Sequence, residues 1–138
     1  MKNAIKISML ALTLSLMSFS VNPIYKDSIV KEVDASPISW KSDLIDVGQI
    51  PQGTPKLIEY EFINTGKATV IITNVQGSCG CTATDYTKEP ITPGKTAIIK
   101  ATYNASNVGA FTKTVTVTTN AEETPKVLTF KGIVLAKV

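Results

Sequence analysis

The sequence predicts an all-β domain, a β-sandwich of about seven antiparallel strands, preceded by a signal peptide. Three observations carry the fold expectation. From residue 37 onward, short runs of alternating apolar and polar residues are divided by turn signals roughly every eight to twelve residues. Beyond the first twenty residues, no window of ten or more combines helical periodicity with capping residues. The roughly one hundred residues that remain can bury about two-thirds of their unfolded surface, enough for a core without a disulfide staple.

The elements follow in order. Lys2 and Lys6 give a positive start, an apolar run extends from Ile7 to Phe19, and Ser18-Phe19-Ser20 offers a small-x-small cleavage pattern. That run is shorter than the roughly 20 residues a membrane-spanning helix needs. Residues 1–20 therefore read as a cleaved secretory signal, with no cysteine near the cut for a lipid anchor and no membrane span after cleavage. Residues 21–36 read as a flexible lead; within it, Asp27-Ser28-Ile29 is a weak match to a bacterial O-glycosylation acceptor. The expected location is extracytoplasmic, either periplasmic or secreted.

Residues 37–138 form the predicted domain. Ile38-Ser39-Trp40 is a first short strand and Leu44-Ile45-Asp46-Val47-Gly48 a second, with a break at Gly53-Thr54-Pro55. Ile58, Tyr60 and Phe62 alternate with Glu59, Glu61 and Ile63, so one face is apolar. Asn64-Thr65-Gly66-Lys67 closes that strand with residues suited to left-handed backbone. Thr69 to Val75 is a nearly unbroken β-branched run, which predicts a central strand buried on both faces. Pro93-Gly94 predicts a type II turn. Ala97, Ile99, Ala101 and Tyr103 then share one strand face. Phe111, Val115 and Val117 line the inner side of the next strand and Thr112, Thr114, Thr116 and Thr118 the outer, while Lys113 marks an end where the inner face frays open. Val127 to Val138 supplies the last strand, with Gly132 a candidate bulge. Trp40, Tyr60, Phe62, Tyr103, Phe111 and Phe130 are assigned to the core.

Composition excludes several function classes. The chain has 14 lysines, no arginine and 11 acidic residues; removing Lys2 and Lys6 lowers the formal charge from +3 to +1. A nearly neutral surface without arginine offers nucleic acid no electrostatic footprint. There is no histidine, and Met1, Met9 and Met17 all fall within the signal. The mature chain thus lacks the commonest general base and the commonest metal ligand. It also lacks the thioether common in copper sites. No catalytic residue set and no cofactor is expected.

Several phrases occur together in order: Asp46-Val47-Gly48, Phe62-Ile63-Asn64-Thr65-Gly66, Ser78-Cys79-Gly80-Cys81-Thr82, Pro90-Ile91-Thr92-Pro93-Gly94, Gly109-Ala110-Phe111, Val117-Thr118-Thr119-Asn120 and Lys131-Gly132-Ile133-Val134. Over about Ile38 to Val134 the chain resembles the secreted bacterial family called domain of unknown function 1573. The resemblance implies an immunoglobulin-like sandwich, similar to domains of the ciliary and centrosomal Hydin-like group, and an extracytoplasmic location. It implies no reaction.

The phrase Ser78-Cys79-Gly80-Cys81-Thr82 holds the only two cysteines. In a flat strand their Cα atoms would lie about 6.6 Å apart, at the upper limit for a disulfide, and Gly80 can kink the backbone to bring the sulfurs together. Four readings stay open. The first is a short-range disulfide of Cys79 with Cys81, favoured in an oxidising compartment. The second is a pair of buried structural thiols. The third is a metal site in which Cys79 and Cys81 supply half of a tetrahedral zinc shell, or hold Cu(I), with Asp85 and Glu89 as poor oxygen partners. The fourth is thiol catalysis with Lys88 as the positive neighbour. Asn104-Ala105-Ser106 fits a glycosylation pattern that is common by chance. The threonine face from Thr112 to Thr118 is either a recognition surface or an ordinary wet strand face.

The expected function is a non-enzymatic binding or scaffolding module of the cell envelope, with an envelope protein or surface component as its partner and strand addition as a natural contact. The alternative is thiol-redox or soft-metal (Cu(I) or zinc) handling through the cysteine pair.

Overall fold

A computed structural model describes residues 36–138; the expected signal peptide, the expected lead before Ser36, and Asp27-Ser28-Ile29 lie outside the described residues. The described chain is all-β. Its strands are β1 (Ile38–Trp40), β2 (Leu44–Pro51), β3 (Lys56–Asn64), β4 (Ile72–Gly77), β5 (Thr82–Tyr86), β6 (Thr96–Tyr103), β7 (Gly109–Thr119) and β8 (Lys126–Leu135). They form two four-stranded sheets, ordered β1-β3-β6-β5 and β2-β8-β7-β4. Two sheets grouped in this way, with the fourth and fifth strands on opposite sheets, reproduce an immunoglobulin constant-type sandwich, to which β2 adds an eighth strand.

Eight strands replace the expected seven or so, and one pair is not antiparallel. The strand not expected from the sequence is β5, whose Thr82-Ala83-Thr84-Asp85-Tyr86 has no large aliphatic side chain to announce it. The parallel pair is β2 with β8. Only residues 41–43 separate β1 from β2, and across them the chain passes from one sheet to the other, where β2 runs alongside β8 in the same direction.

The core fills from both sheets. Ile58, Tyr60, Phe62, Ala97, Ile99, Ala101 and Tyr103 come from one, and Val115, Val117, Leu128, Phe130 and Val134 from the other, all buried. The Tyr103 and Phe111 rings stack at 4.4 Å, and Phe130 meets both edge-on at 6.0 and 6.1 Å. Trp40 packs on Phe62 at 4.8 Å. The six aromatics expected in the core are all there, Trp40 and Phe111 being half-buried. Lys113 is half-buried next to the half-buried Phe111, whereas Val115 and Val117 beyond it are sealed.

The Thr69–Val75 expectation needs correction. The strand starts at Ile72 and lies at the edge of its sheet. Val70, Ile72 and Val75 are buried, but Ile71, Thr73 and Asn74 are exposed, so only one face is covered. Val70 belongs to a separate bridge with Ile91. The β-branched run reflected β-propensity, which does not distinguish edge from centre.

Two glycines also act differently from the expectation. Positive φ occurs at Gly48, Gly53, Gly94, Gly109 and Ala105, not at Gly66. Gly66 is required for close approach: an added Cβ would sit 2.7 Å from the Pro37 Cβ, while Thr65 and Gly66 N–H both donate to the Pro37 carbonyl. The bulge expected at Gly132 lies on the strand opposite. Asp46 pairs with Lys131 and Gln49 with Ile133, so Val47 and Gly48 together face Gly132. The Asp46 carboxylate accepts the Gly48 N–H at 2.8 Å and Gly48 takes φ 69°. A Cβ on Gly132 would come within 2.7 Å of the Gly48 carbonyl and of Val47 Cγ2. The Pro93-Gly94 turn forms as expected, with Lys95 N–H donating to Thr92 O at 3.0 Å and Gly94 at φ 81°.

Asn64 is fully buried, and each of its polar groups is bonded. Its Nδ2 donates to the carbonyls of Ala68 and Ile91, both at 2.8 Å, and its Oδ1 accepts the Gly66 N–H at 3.0 Å. Its backbone N–H donates to Lys95 O at 2.9 Å and its carbonyl accepts the Gly94 N–H at 2.7 Å. Tyr60 links the sheets: its hydroxyl donates to the Thr129 carbonyl at 2.7 Å. Burial, and then the charge of Asp43, push that phenol well above the ordinary tyrosine range.

Asn64→Ala leaves buried carbonyls without their donors and is expected to cost about 2–4 kcal/mol in urea unfolding. Tyr60, with its folded pKa raised, contributes stability that is intact below the unfolded tyrosine pKa near 10 and fades as pH climbs above it. Absorbance titration of the phenolates should show one tyrosine refusing to ionise until the domain unfolds, and Tyr60→Phe should abolish that late step.

Candidate functional site

The cysteine phrase forms the crossover from β4 to β5, passing from the edge of one sheet to the edge of the other. Gly77 makes the crossover tight, since a Cβ there would lie 3.1 Å from both Cβ and O of Thr82. Ser78 continues the ladder to β7: its N–H donates to Thr114 O at 2.9 Å and its Oγ accepts the Thr114 N–H at 3.1 Å. The Thr82 N–H then donates to Cys79 O at 3.3 Å, closing a four-residue turn around Gly80. On the far side, Asn104 N–H donates to Cys81 O at 3.1 Å.

Within that turn Cys79 and Cys81 are bonded to each other, with Cα atoms 5.2 Å apart. The separation is shorter than a flat strand allows because the backbone turns at Gly80. Both cysteines are half-buried, Cys81 packing against the core, and Gly80 is exposed with nothing within 4 Å of where a Cβ would stand. Thr82 is buried, with its Oγ1 3.7 Å from Cys79 Sγ. A bonded sulfur carries no proton, so the hydroxyl is the donor.

The remaining candidates do not converge here. Lys88 Nζ lies 3.7 Å from Asp85 Oδ1 and 3.2 Å above the Tyr86 ring centre. Thr82 and Tyr86 are at opposite ends of β5, about 13 Å apart at a strand's rise. Lys88 thus serves its own end of the strand and is not placed to activate a sulfur. Asp85 is held by Lys88, and among the described residues no three cysteine, aspartate or glutamate side chains gather where they could share a metal ion. Asn104-Ala105-Ser106 forms the turn after β6, with the Asn104 Oδ1 accepting from Ser106 N–H at 3.2 Å and Ser106 Oγ at 3.1 Å. Asn104 and Thr114, which hold the cysteine turn, had no local signal in the sequence; pairing across about 25–35 residues is written only in the topology.

The outer faces of the sheets differ in charge. On the β1-β3-β6-β5 sheet, Glu59, Lys100 and Asp85 stand in one cross-strand row, and the Lys100–Glu59 pair is 3.6 Å apart. Beside them Lys41 pairs with Glu61 at 3.3 Å. The other sheet presents Thr112, Thr114, Thr116 and Thr118 on β7, flanked by Val127, Thr129, Ile133 and Leu135 on β8 and by Asn74 and Gln76 on β4. Its charged residues are Asp46 and Lys131, opposite each other in register. Val127 is 51% exposed, and Ile133 and Leu135 are 44% exposed. This face continues to the edge strand β4, whose Ile72–Gly77 contains neither charge nor proline.

Among known proteins, a family model described as protein of unknown function (DUF1573) matches residues 38–134. No curated protein matches the sequence. Of solved structures, a protein of unknown function from Porphyromonas gingivalis W83 is similar at 14% identity and a TM-score of 0.61, over 72% of this chain and 49% of that one. This chain therefore spans about half of that protein's length. A PapD-like domain of human CEP192 is similar at 8% identity and a TM-score of 0.62, over 75% of this chain and 89% of that one. The VesB protease of Vibrio cholerae is similar at 12% identity and a TM-score of 0.57, over 71% of this chain but only 31% of the protease. At such identities these likenesses concern the fold alone.

A disulfide that closes so small a ring removes little entropy from the unfolded chain, about 1.5 kcal/mol in the loop-closure account. The double variant Cys79→Ser/Cys81→Ser is therefore expected to fold and to lose no more than about 2 kcal/mol in chemical denaturation. A loss above about 4 kcal/mol would make the bond a principal staple.

Proposed function

Since the chain belongs to the family of proteins of unknown function designated DUF1573, we propose that it acts as a non-enzymatic, immunoglobulin-like binding or scaffolding module of the cell envelope. The single observation that carries this reading is the charge-poor, threonine-rich outer face of the β2-β8-β7-β4 sheet, continuous with the unguarded edge of β4. Natural sandwiches protect their edges with charges, prolines, bulges or shortness. β2 has the Asp46–Gln49 bulge and Pro51, β5 carries Asp85, and β1 is three residues long. β4 is longer than β1 and, like it, has no charge or proline; its irregularity falls at its first residues, between Ile72 and Asn74. A polypeptide partner can dock on this face and extend its contact along β4 by strand addition.

The location in the envelope is supported by the charged start and apolar run of residues 1–20 and by a bonded cysteine pair, which oxidising compartments favour. The missing histidine and the scattered acidic residues support a role without catalysis.

The test places a photo-crosslinking residue at Thr116 on the charge-poor face and, separately, at Glu59 on the charged face, in the intact cell envelope. Thr116 is expected to capture a discrete polypeptide and Glu59 none. Thr114→Lys, which buries an unpaired charge under a docked partner, should lower that capture by about tenfold or more. Equal capture at both positions, or none at Thr116, would count against the reading.

A further inference from the structure

Independently of any docking partner, we propose that the Cys79–Cys81 bond is an exchange site that accepts electrons from polypeptide dithiols. Three features of the crossover point there. First, the bond joins residues two apart within one turn and links no two elements of the fold, so stability gives little reason for it. Second, the flanks of the turn are held without it. Ser78 is bonded to Thr114, Cys79 O to Thr82 N–H, and Cys81 O to Asn104 N–H. Opening the bond leaves both sulfurs on an anchored backbone, at high effective concentration for reclosure. Third, the two sulfurs are unequal. Both are half-buried, but Cys81 packs against the core, whereas Cys79 faces the buried Thr82 hydroxyl.

The inequality assigns the roles. A partner thiolate attacks Cys79 Sγ; a new S–S bond forms to Cys79 as the Cys79–Cys81 bond breaks, and Cys81 takes the electron pair and a proton. The partner's second thiolate then attacks its own bonded sulfur, and Cys79 leaves with the electron pair as a thiolate that then takes up a proton. The partner has lost two electrons and two protons to become a disulfide, and this chain has gained them as a dithiol. The Thr82 O–H stabilises Cys79 as it leaves, because hydrogen bonds to a charged acceptor are the stronger kind. Cys81 is the sulfur released first.

Purified protein equilibrated with mixtures of reduced and oxidised dithiothreitol, then alkylated and weighed intact, should interconvert fully between two forms two thiols apart, with its circular dichroism unchanged. In Cys81→Ser the remaining Cys79 should form a mixed disulfide with oxidised glutathione. In Cys79→Ser the shielded Cys81 should react at least about tenfold more slowly. Thr82→Val, made in the Cys81→Ser background, should raise the pH midpoint of Cys79 reactivity by about one unit, a tenfold change. Thr82→Ser, which keeps the hydroxyl, should restore it. A bond that stays closed in excess dithiothreitol while the domain is folded would overturn the proposal. So would equal reactivity of the two cysteines, or a midpoint indifferent to Thr82→Val.

Discussion

The connections at one end of this sandwich converge on the buried carboxamide of Asn64. Its side chain satisfies the carbonyls of Ala68 and Ile91, while its backbone holds Lys95 and Gly94. A buried amide in an apolar core would be a liability if any of these partners were missing. With all of them present it acts as a coordinate system. It fixes where β3 stops, where the loop to β4 turns, and where the Pro93-Gly94 turn delivers β6. Gly66 belongs to the same arrangement, because its missing side chain lets the loop sit on Pro37 at the start of β1. The phrase Phe62-Ile63-Asn64-Thr65-Gly66 is thus one structural unit: Phe62 anchors the core, Asn64 ties the loops, and Gly66 admits the first strand.

A second constraint operates at the parallel edge. β2 must switch sheets directly after β1 and then run beside β8, where the ladder does not match residue for residue. The extra residue is absorbed by Asp46-Val47-Gly48. The aspartate bonds the Gly48 N–H, the glycine takes positive φ, and Gly132 across the ladder leaves room for both Val47 and the Gly48 carbonyl. Two phrases about 85 residues apart in sequence are therefore halves of one bulge. The bulge twists the edge and helps keep it from pairing with another chain. On the opposite edge, β4 has its irregularity only at its first residues and neither charge nor proline along its length.

What the sequence made legible, and what it did not, follows from the range of the signals. Period-two alternation on β3, β6 and β7 gave the inner faces correctly, because side-chain direction along a strand is a local property. The Pro93-Gly94 turn was readable for the same reason. Strand order is not local. The Thr69–Val75 run has the residues of a central strand and sits at an edge, and Gly132 looked like a bulge when it is the space opposite one. β5 escaped notice because its inward residues are Thr82, Thr84 and Tyr86, and the first two are too polar to advertise burial. The cysteine turn was conspicuous, yet its supports, Thr114 and Asn104, come from β7 and from the turn after β6, which the topology brings beside it.

The disulfide and the charge-poor face both lie where the chain leaves one sheet for the other. At that crossover the backbone must turn sharply between β4 and β5, and it does so with hydrogen bonds to β7 and to the turn after β6. Those bonds already fix the turn, so a two-residue sulfur bridge adds little rigidity and is free to serve as chemistry. The same crossover leaves β4 with a ladder partner on one side only, its far side touched by Thr84, whose hydroxyl donates to the Val75 carbonyl at 3.2 Å, next to a sheet face with two charges in register and a central stripe of threonines. A partner strand laid along β4 would run directly toward Ser78 and the exposed Gly80. The proposed binding surface and the proposed exchange site thus share one corner of the molecule. A dithiol carried by a docked polypeptide would arrive at Cys79 already concentrated, which makes the two proposed roles compatible in a single module.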